Sequence, residues 1–164
     1  MKRFICMALC LLILYACCGC RSNLDGDVSF YYCRNNYIYG EENGVILAEK
    51  RNTPGHSGDL SYLLSLYLVG PMDETLYSPI PSETRLLSAS VQDDTVSVSL
   101  SEFPADMSEV NISLAFSCLA MTCLEITDAQ QVVITCGSRT VTLNQSSYLL
   151  YDNVTKIPAT EEPQ

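Results

Sequence analysis

The stretch LSYLLSLYLVGPMDETLYSPIP, residues 60 to 81, constrains the fold more than any other part of this chain. Leu60, Leu63, Leu64, Tyr67 and Leu68 fall at i, i+3, i+4, i+7 and i+8, which places one apolar stripe along a helix. Gly70 stands where a helix end wants a left-handed residue, and Pro71 cannot continue the helix because it lacks the donor and clashes with the preceding turn. Upstream, Ser57 is positioned to cap the helix and Asp59 to complement the dipole in its first turn. The loop after Pro71 closes at Pro81. The stretch therefore reads as a structural joint, a helix stop followed by a fixed loop, and needs no ligand to explain it.

Strands surround this joint. DVSFYYC (27–33) alternates Val28, Phe30 and Tyr32 against Tyr31 and Cys33, and VILAEKRNT (45–53) reads as its neighbour after a turn-rich segment. TRLLSASVQ (84–92) and TVSVSLS (95–101) alternate with period two around Asp93-Asp94, a connection suited to a hairpin. In the second of these, Val96, Val98 and Leu100 face one way and Ser97, Ser99 and Ser101 the other, giving one buried and one wet face. SEVNISLAFSCLAMTCLEI (108–126) is a second helix, with Ile112, Ala115, Phe116, Leu119, Ala120 and Cys123 as its core stripe. QVVITCG and RTVTLNQ form another hairpin around Gly137-Ser138. The order β-β-α-β-β-α-β-β predicts an α+β domain, a small mostly antiparallel sheet with two amphipathic helices packed on one face. Its expected bounds are 27–152, between a polar tether at 21–26 and an acidic, proline-containing tail at 153–164.

Residues 1–20, MKRFICMALCLLILYACCGC, have a different character. Lys2 and Arg3 precede an uninterrupted apolar run of 13 residues, Phe4 to Ala16. A permanent bilayer span needs about 20, whereas this is the length of a signal-peptide core. LYAC, Leu14 to Cys17, resembles a bacterial lipobox, in which the cysteine receives the lipid. Cys17 is the expected lipidation site because Leu14 is in register; Cys20, after Gly19, is the alternative. Tyr15 departs from the small residue usual at its position. The expected address is the extracytoplasmic face of the cell membrane, held by acyl chains that bury their CH₂ groups.

Charge narrows the partners. The 164-residue chain carries −10, and without Lys2 and Arg3 the balance is 7 basic against 19 acidic residues, or −12. With no basic patch to neutralise phosphates, nucleic acid is not an expected partner. An anionic membrane would repel such a body, so a lipid and not surface charge would hold it there. Of nine cysteines, five lie in the first 20 residues. Cys33, Cys118, Cys123 and Cys136 remain, enough for two disulfides in an exported chain. Cys118 and Cys123 point in different directions from one helix and cannot readily bridge each other. Free thiols acting as small core hydrophobes are the preferred reading, and a disulfide the alternative.

No constellation for catalysis emerges. His56 is the only histidine, beside Ser57 and Asp59, but triads are assembled from separated segments. Glu41-Glu42, Asp73-Glu74 and Asp93-Asp94 fall in turns, which explains them. There is no zinc spacing, EF-hand ligand series or phosphate loop, so neither metal nor cofactor is expected. The tyrosines at 31, 32, 37 and 39 suit cross-strand packing better than sugar stacking.

The words LVGP, IPSET, VSVSLSEF and QQVVITCGS, in this order between residues 27 and 145, resemble the GerMN domain family, named for a germination and sporulation protein of spore-forming bacteria. Two departures are Val98-Ser99-Leu100, where the family often has Val-Asp-Leu, and Ser82-Glu83, where glycine is common. The resemblance implies a cell-envelope lipoprotein with a single such domain and no catalytic residues to carry over. The family's fold is similar to small α/β modules that stack into rings in envelope machinery, so the implied partners are envelope proteins or further copies of the chain. A protein that binds or hydrolyses cell-wall carbohydrate is the competing expectation; it would require a concave pocket with converging polar groups.

Overall fold

A computed structural model describes residues 27–38 and 44–144. The leader, Cys17, Cys20, the tether, Tyr39, Glu41-Glu42 and the acidic tail lie outside the described residues.

The elements are β1 (Asp27–Arg34), β2 (Ile46–Asn52), α1 (Leu60–Leu68), β3 (Leu76–Tyr77), β4 (Leu86–Gln92), β5 (Thr95–Leu100), α2 (Glu109–Ile126), β6 (Gln131–Cys136) and β7 (Arg139–Asn144). The architecture is α+β. The strands divide between two sheets, of order β2-β1-β3 and β4-β5-β6-β7, where the element order alone had drawn one. Proline accounts for part of the division. After Tyr77 the chain runs through Pro79 and Pro81, which have no N–H to give to a ladder, so β3 stops after two residues. Among the described strands only β5 and β6 pair in parallel, with α2 as the crossover between them. All other pairs among the described strands are antiparallel.

The core joins both sheets and both helices. Val96, Val98 and Leu100 of β5 and Val132, Ile134 and Cys136 of β6 are buried, as period two requires. The α2 stripe Ile112, Ala115, Phe116, Leu119, Ala120 and Cys123 is buried as its spacing predicts, joined by Cys118 and Thr122. Ser108 caps α2, its Oγ accepting from Asn111 N–H at 3.2 Å. Although α2 is apolar and long enough to cross a membrane, its buried stripe identifies it as a core helix.

Along β1, one edge pairs with β2 and the other with β3 at Cys33 and Arg34 alone. Beside that short pairing, the Tyr31 N–H donates to Thr122 Oγ1 of α2 at 3.0 Å. The helix thus supplies a bond that a third strand would otherwise make.

Candidate functional site

Helix α1 ends at Leu68, and Gly70 follows with φ +103°. Gly70 N–H donates to Tyr67 O at 3.0 Å, recovering one of the carbonyls that a helix end leaves open. A Cβ at Gly70 would meet nothing within 4 Å, so the need for glycine here is conformational, not steric. Pro71 follows, and Pro81 lies half-buried at the end of the loop, its carbonyl accepting from Thr84 N–H.

Two side chains from β2 grip this junction. Arg51 and Glu49 form an ion pair, with side chains only 6% and 9% exposed. Arg51 also donates to Gly70 O at 2.5 Å, Leu66 O at 3.4 Å and the Tyr32 hydroxyl at 3.3 Å. Its guanidinium lies over the rings of Phe30 and Tyr32, 5.1 and 5.7 Å from their centroids. The second Glu49 oxygen accepts from Met72 N–H and Asp73 N–H, each at 2.8 Å. Arg51 therefore ties down the chain before Pro71, and Glu49 ties it down after Pro71. A planar, always-charged guanidinium suits several acceptors at once. Its environment also acts on Tyr32: burial raises the phenol pKa most, Arg51 opposes that and Glu49 adds to it.

Sequence reasoning missed this clamp. The period-two pattern of β2 marks Arg51 and Glu49 as sharing a face, but two charged residues within a strand ordinarily read as its wet side.

The remaining polar candidates are occupied by local structure. Asp59, not Ser57, caps α1: its Oδ1 accepts from Tyr62 N–H at 3.0 Å. The reason is register, because the helix begins at Leu60 and the capping residue immediately precedes it. His56 stacks on Tyr62, ring centroids 3.8 Å apart. With the Asp59 carboxylate used as a cap, the His56, Ser57 and Asp59 cluster has no triad arrangement. Asp73 Oδ1 accepts from Thr75 N–H and Oγ1, which holds its carboxyl below the ordinary range. Asp93 takes φ 53° in the β4–β5 turn, and the main-chain carbonyl of Asp94 accepts from Gln130 and Gln131 N–H. Among the described residues no three His, Cys, Asp or Glu side chains are grouped as a metal ion would require.

Two surface features remain. One is an open groove of about 490 Å³ lined by Pro81, Glu83, Thr84, Glu102, Phe103, Pro104 and Ala105. The other is the outward face of the four-stranded sheet. Strand register places Ser88, Ser99, Thr135 and Thr140 in one row, and Ser90, Ser97, Val133 and Thr142 in the next. These rows cross all four strands without a charged side chain. The sequence showed only the serine series of β5, because the rows depend on pairing between distant strands.

A model of the Germane family, described as sporulation and spore germination, matches residues 30–142. Solved structures of similar shape include the first GerMN domain of the sporulation protein GerM from Bacillus subtilis, 13% identical, with a TM-score of 0.52 over 70% of this chain and 85% of that one. The tandem GerMN domains of the same protein give 15% identity and a TM-score of 0.48, over 74% of this chain and 43% of that one. A Clostridium perfringens protein provisionally assigned as a lipoprotein gives 20% identity and a TM-score of 0.47, over 76% and 91% of the two chains. No curated protein matches this sequence.

Proposed function

Because the chain belongs to the Germane family of sporulation and spore germination, we propose that it is a non-catalytic lipoprotein module of the cell envelope that works by protein–protein contact. The observation that carries this reading is the employment of its polar groups. Asp59 caps a helix, Glu49 and Arg51 hold the Gly-Pro junction, and Asp73 fixes a turn. None of these carboxylates is left poised in an enclosed cleft, as a general acid or base would be.

What remains for function is surface. The rows across the four-stranded sheet, seven hydroxyl residues and Val133, give an uncharged surface on an otherwise acidic chain. Among the described residues β4 and β7 are the outer strands of the four-stranded sheet, and a neighbouring strand can add to a sheet edge. Lipidation at Cys17, or at Cys20 instead, would hold the body at the extracytoplasmic face of the membrane. Confinement there raises effective concentration, so weak contacts with envelope proteins or other copies can populate an assembly.

The test is crosslinking of the full chain in native membranes, alongside assays of the purified protein for peptidoglycan hydrolysis, glycosidase and esterase activity. Crosslinked envelope proteins or self-adducts are expected, with activities at background. Cys17→Ser should release the protein to the soluble fraction and reduce the crosslinks. Turnover that disappears on His56→Ala without unfolding would establish the enzyme instead. Fatty-acid labelling that survives Cys17→Ser and is lost with Cys20→Ser would move the anchor.

A further inference from the structure

All four cysteines of the domain are buried and free, but they are not equivalent. Cys123 sits in α2 with its thiol pushed up to about 12 by burial. Cys136 donates through its thiol to Ser101 O at 3.1 Å. Cys33 and Cys118 face each other, sulfur to sulfur, at 3.8 Å across the β1–α2 interface. Ordinary contact between two sulfurs explains that separation, and a disulfide would draw the two sulfurs together to about 2.05 Å. The residues are 85 apart in sequence, so a bond here would link the three-stranded sheet to the crossover helix of the other sheet.

We propose that Cys33 and Cys118 form a redox pair that is oxidised to an intramolecular disulfide by exchange with a disulfide co-reactant. The co-reactant is a low-molecular-weight disulfide or a disulfide-bearing oxidoreductase. Cys33 is the attacking sulfur, because it lies beside the two-residue strand β3, whereas Cys118 lies among the buried residues of α2. The hydrogen bond with Cys118 holds the Cys33 thiol below the ordinary value, and the Tyr77 hydroxyl contributes in the same direction. The same contact, followed by burial, raises Cys118. Tyr77 is 39% exposed and lies on β3, which meets β1 through only two residue pairs. Asn35 adds bonds to Glu74, Thr75 and Leu76, and Leu76 is itself buried, so a co-reactant reaches Cys33 when this short segment opens locally as a unit.

The exchange balances in two steps. The Cys33 thiolate attacks one sulfur of the co-reactant, forming a mixed disulfide and expelling one thiolate. Cys118 gives up its proton and attacks the Cys33 sulfur, expelling the second thiolate. Two electrons pass from the pair to the co-reactant, which leaves as two thiols. In the extracytoplasmic address proposed above, the oxidised form is the resting state; in a reducing compartment it is the dithiol.

The full chain is purified in detergent, equilibrated with oxidised glutathione, alkylated and digested with trypsin. A covalent link between the peptide carrying Cys33 and the peptide carrying Cys118, assigned to those two sulfurs by fragmentation, is expected. The linked protein should melt above the reduced one by roughly 10 °C, as closure of a long loop implies. Cys33 and Cys118 that remain alkylatable at equilibrium, or a link through Cys123 or Cys136 instead, would overturn the proposal. Acid trapping of the protein from intact cells gives a separate result. A pair that oxidises when purified but is reduced in cells supports the pair and counts against the extracytoplasmic address.

Discussion

The two sheets meet the rest of the molecule by different means. In the four-stranded sheet the inward residues of β5 and β6 are Val96, Val98, Leu100, Val132, Ile134 and Cys136, and the outward rows are hydroxyls with Val133 among them. Apolar area removed from water holds it in place. The three-stranded sheet contributes Phe30 and Tyr32 to the core, with Tyr67 of α1 stacked on Tyr32 at 4.9 Å between centroids. It adds a buried arginine paired with a glutamate, a backbone bond to Thr122 and a sulfur contact to α2. The first sheet is specified by pattern, and any residue of similar size and hydrophobicity would serve at its inward positions. The second is specified by particular groups, each placed to answer one other group.

If that contrast is right, the largest loss of stability comes from the clamp. Arg51→Met should cost about 3 kcal/mol or more, because Glu49 is left buried without its charge partner and Gly70 O loses its donor. Ile134→Val in β6, which is fully buried, should cost only about 1 kcal/mol. Urea denaturation of the two variants compares the regions directly, and equal losses would erase the distinction. Gly70→Val is intermediate. At φ +103° with open space around the Cβ position, the cost is backbone strain of roughly 1–2 kcal/mol. Thermal melting should register it, and any fall in membrane crosslinking should follow the fall in folded fraction.

The smallest effect is expected at the exposed pair of Arg139 with Glu109, bidentate at 2.8 Å for each bond. The Arg139 hydrogen bonds, and then its charge, hold Glu109 below the ordinary carboxylate range. A carboxylate with a lowered folded pKa stabilises above its unfolded pKa and loses that contribution as pH falls through the folded value. Arg139→Gln should therefore shift melting near neutral pH by little more than experimental error, and by nothing in acid or at high salt. A large shift at neutral pH would make surface charge a third means of holding the fold.

The legibility of the molecule in its sequence follows the same division. Period two located β1, β4, β5, β6 and β7, and the 3.6-residue stripes located both helices, because such patterns need only near neighbours. Gly70 and Pro71 were legible for the same reason, a helix end being a local event. Glu49 and Arg51 were not, because a charged residue in a strand carries no sign of what lies opposite it. Thr122 was equally silent, since its partner is the Tyr31 N–H from a distant strand. The split into two sheets escaped the element order because it depends on where β3 stops, and a two-residue strand leaves no periodic trace. Asp59 displaced Ser57 as cap through a shift of register that composition does not resolve.

The central claim is that Glu49 and Arg51 act as one unit to hold the Gly-Pro junction, which makes the junction a joint. Urea denaturation of Glu49→Gln, Arg51→Met and the double variant tests it. The account predicts strong non-additivity, with the double variant no less stable than Arg51→Met alone, because removing the orphaned carboxylate relieves its unpaired burial. Single losses that simply add in the double variant would show that the two residues act independently, and would contradict the account.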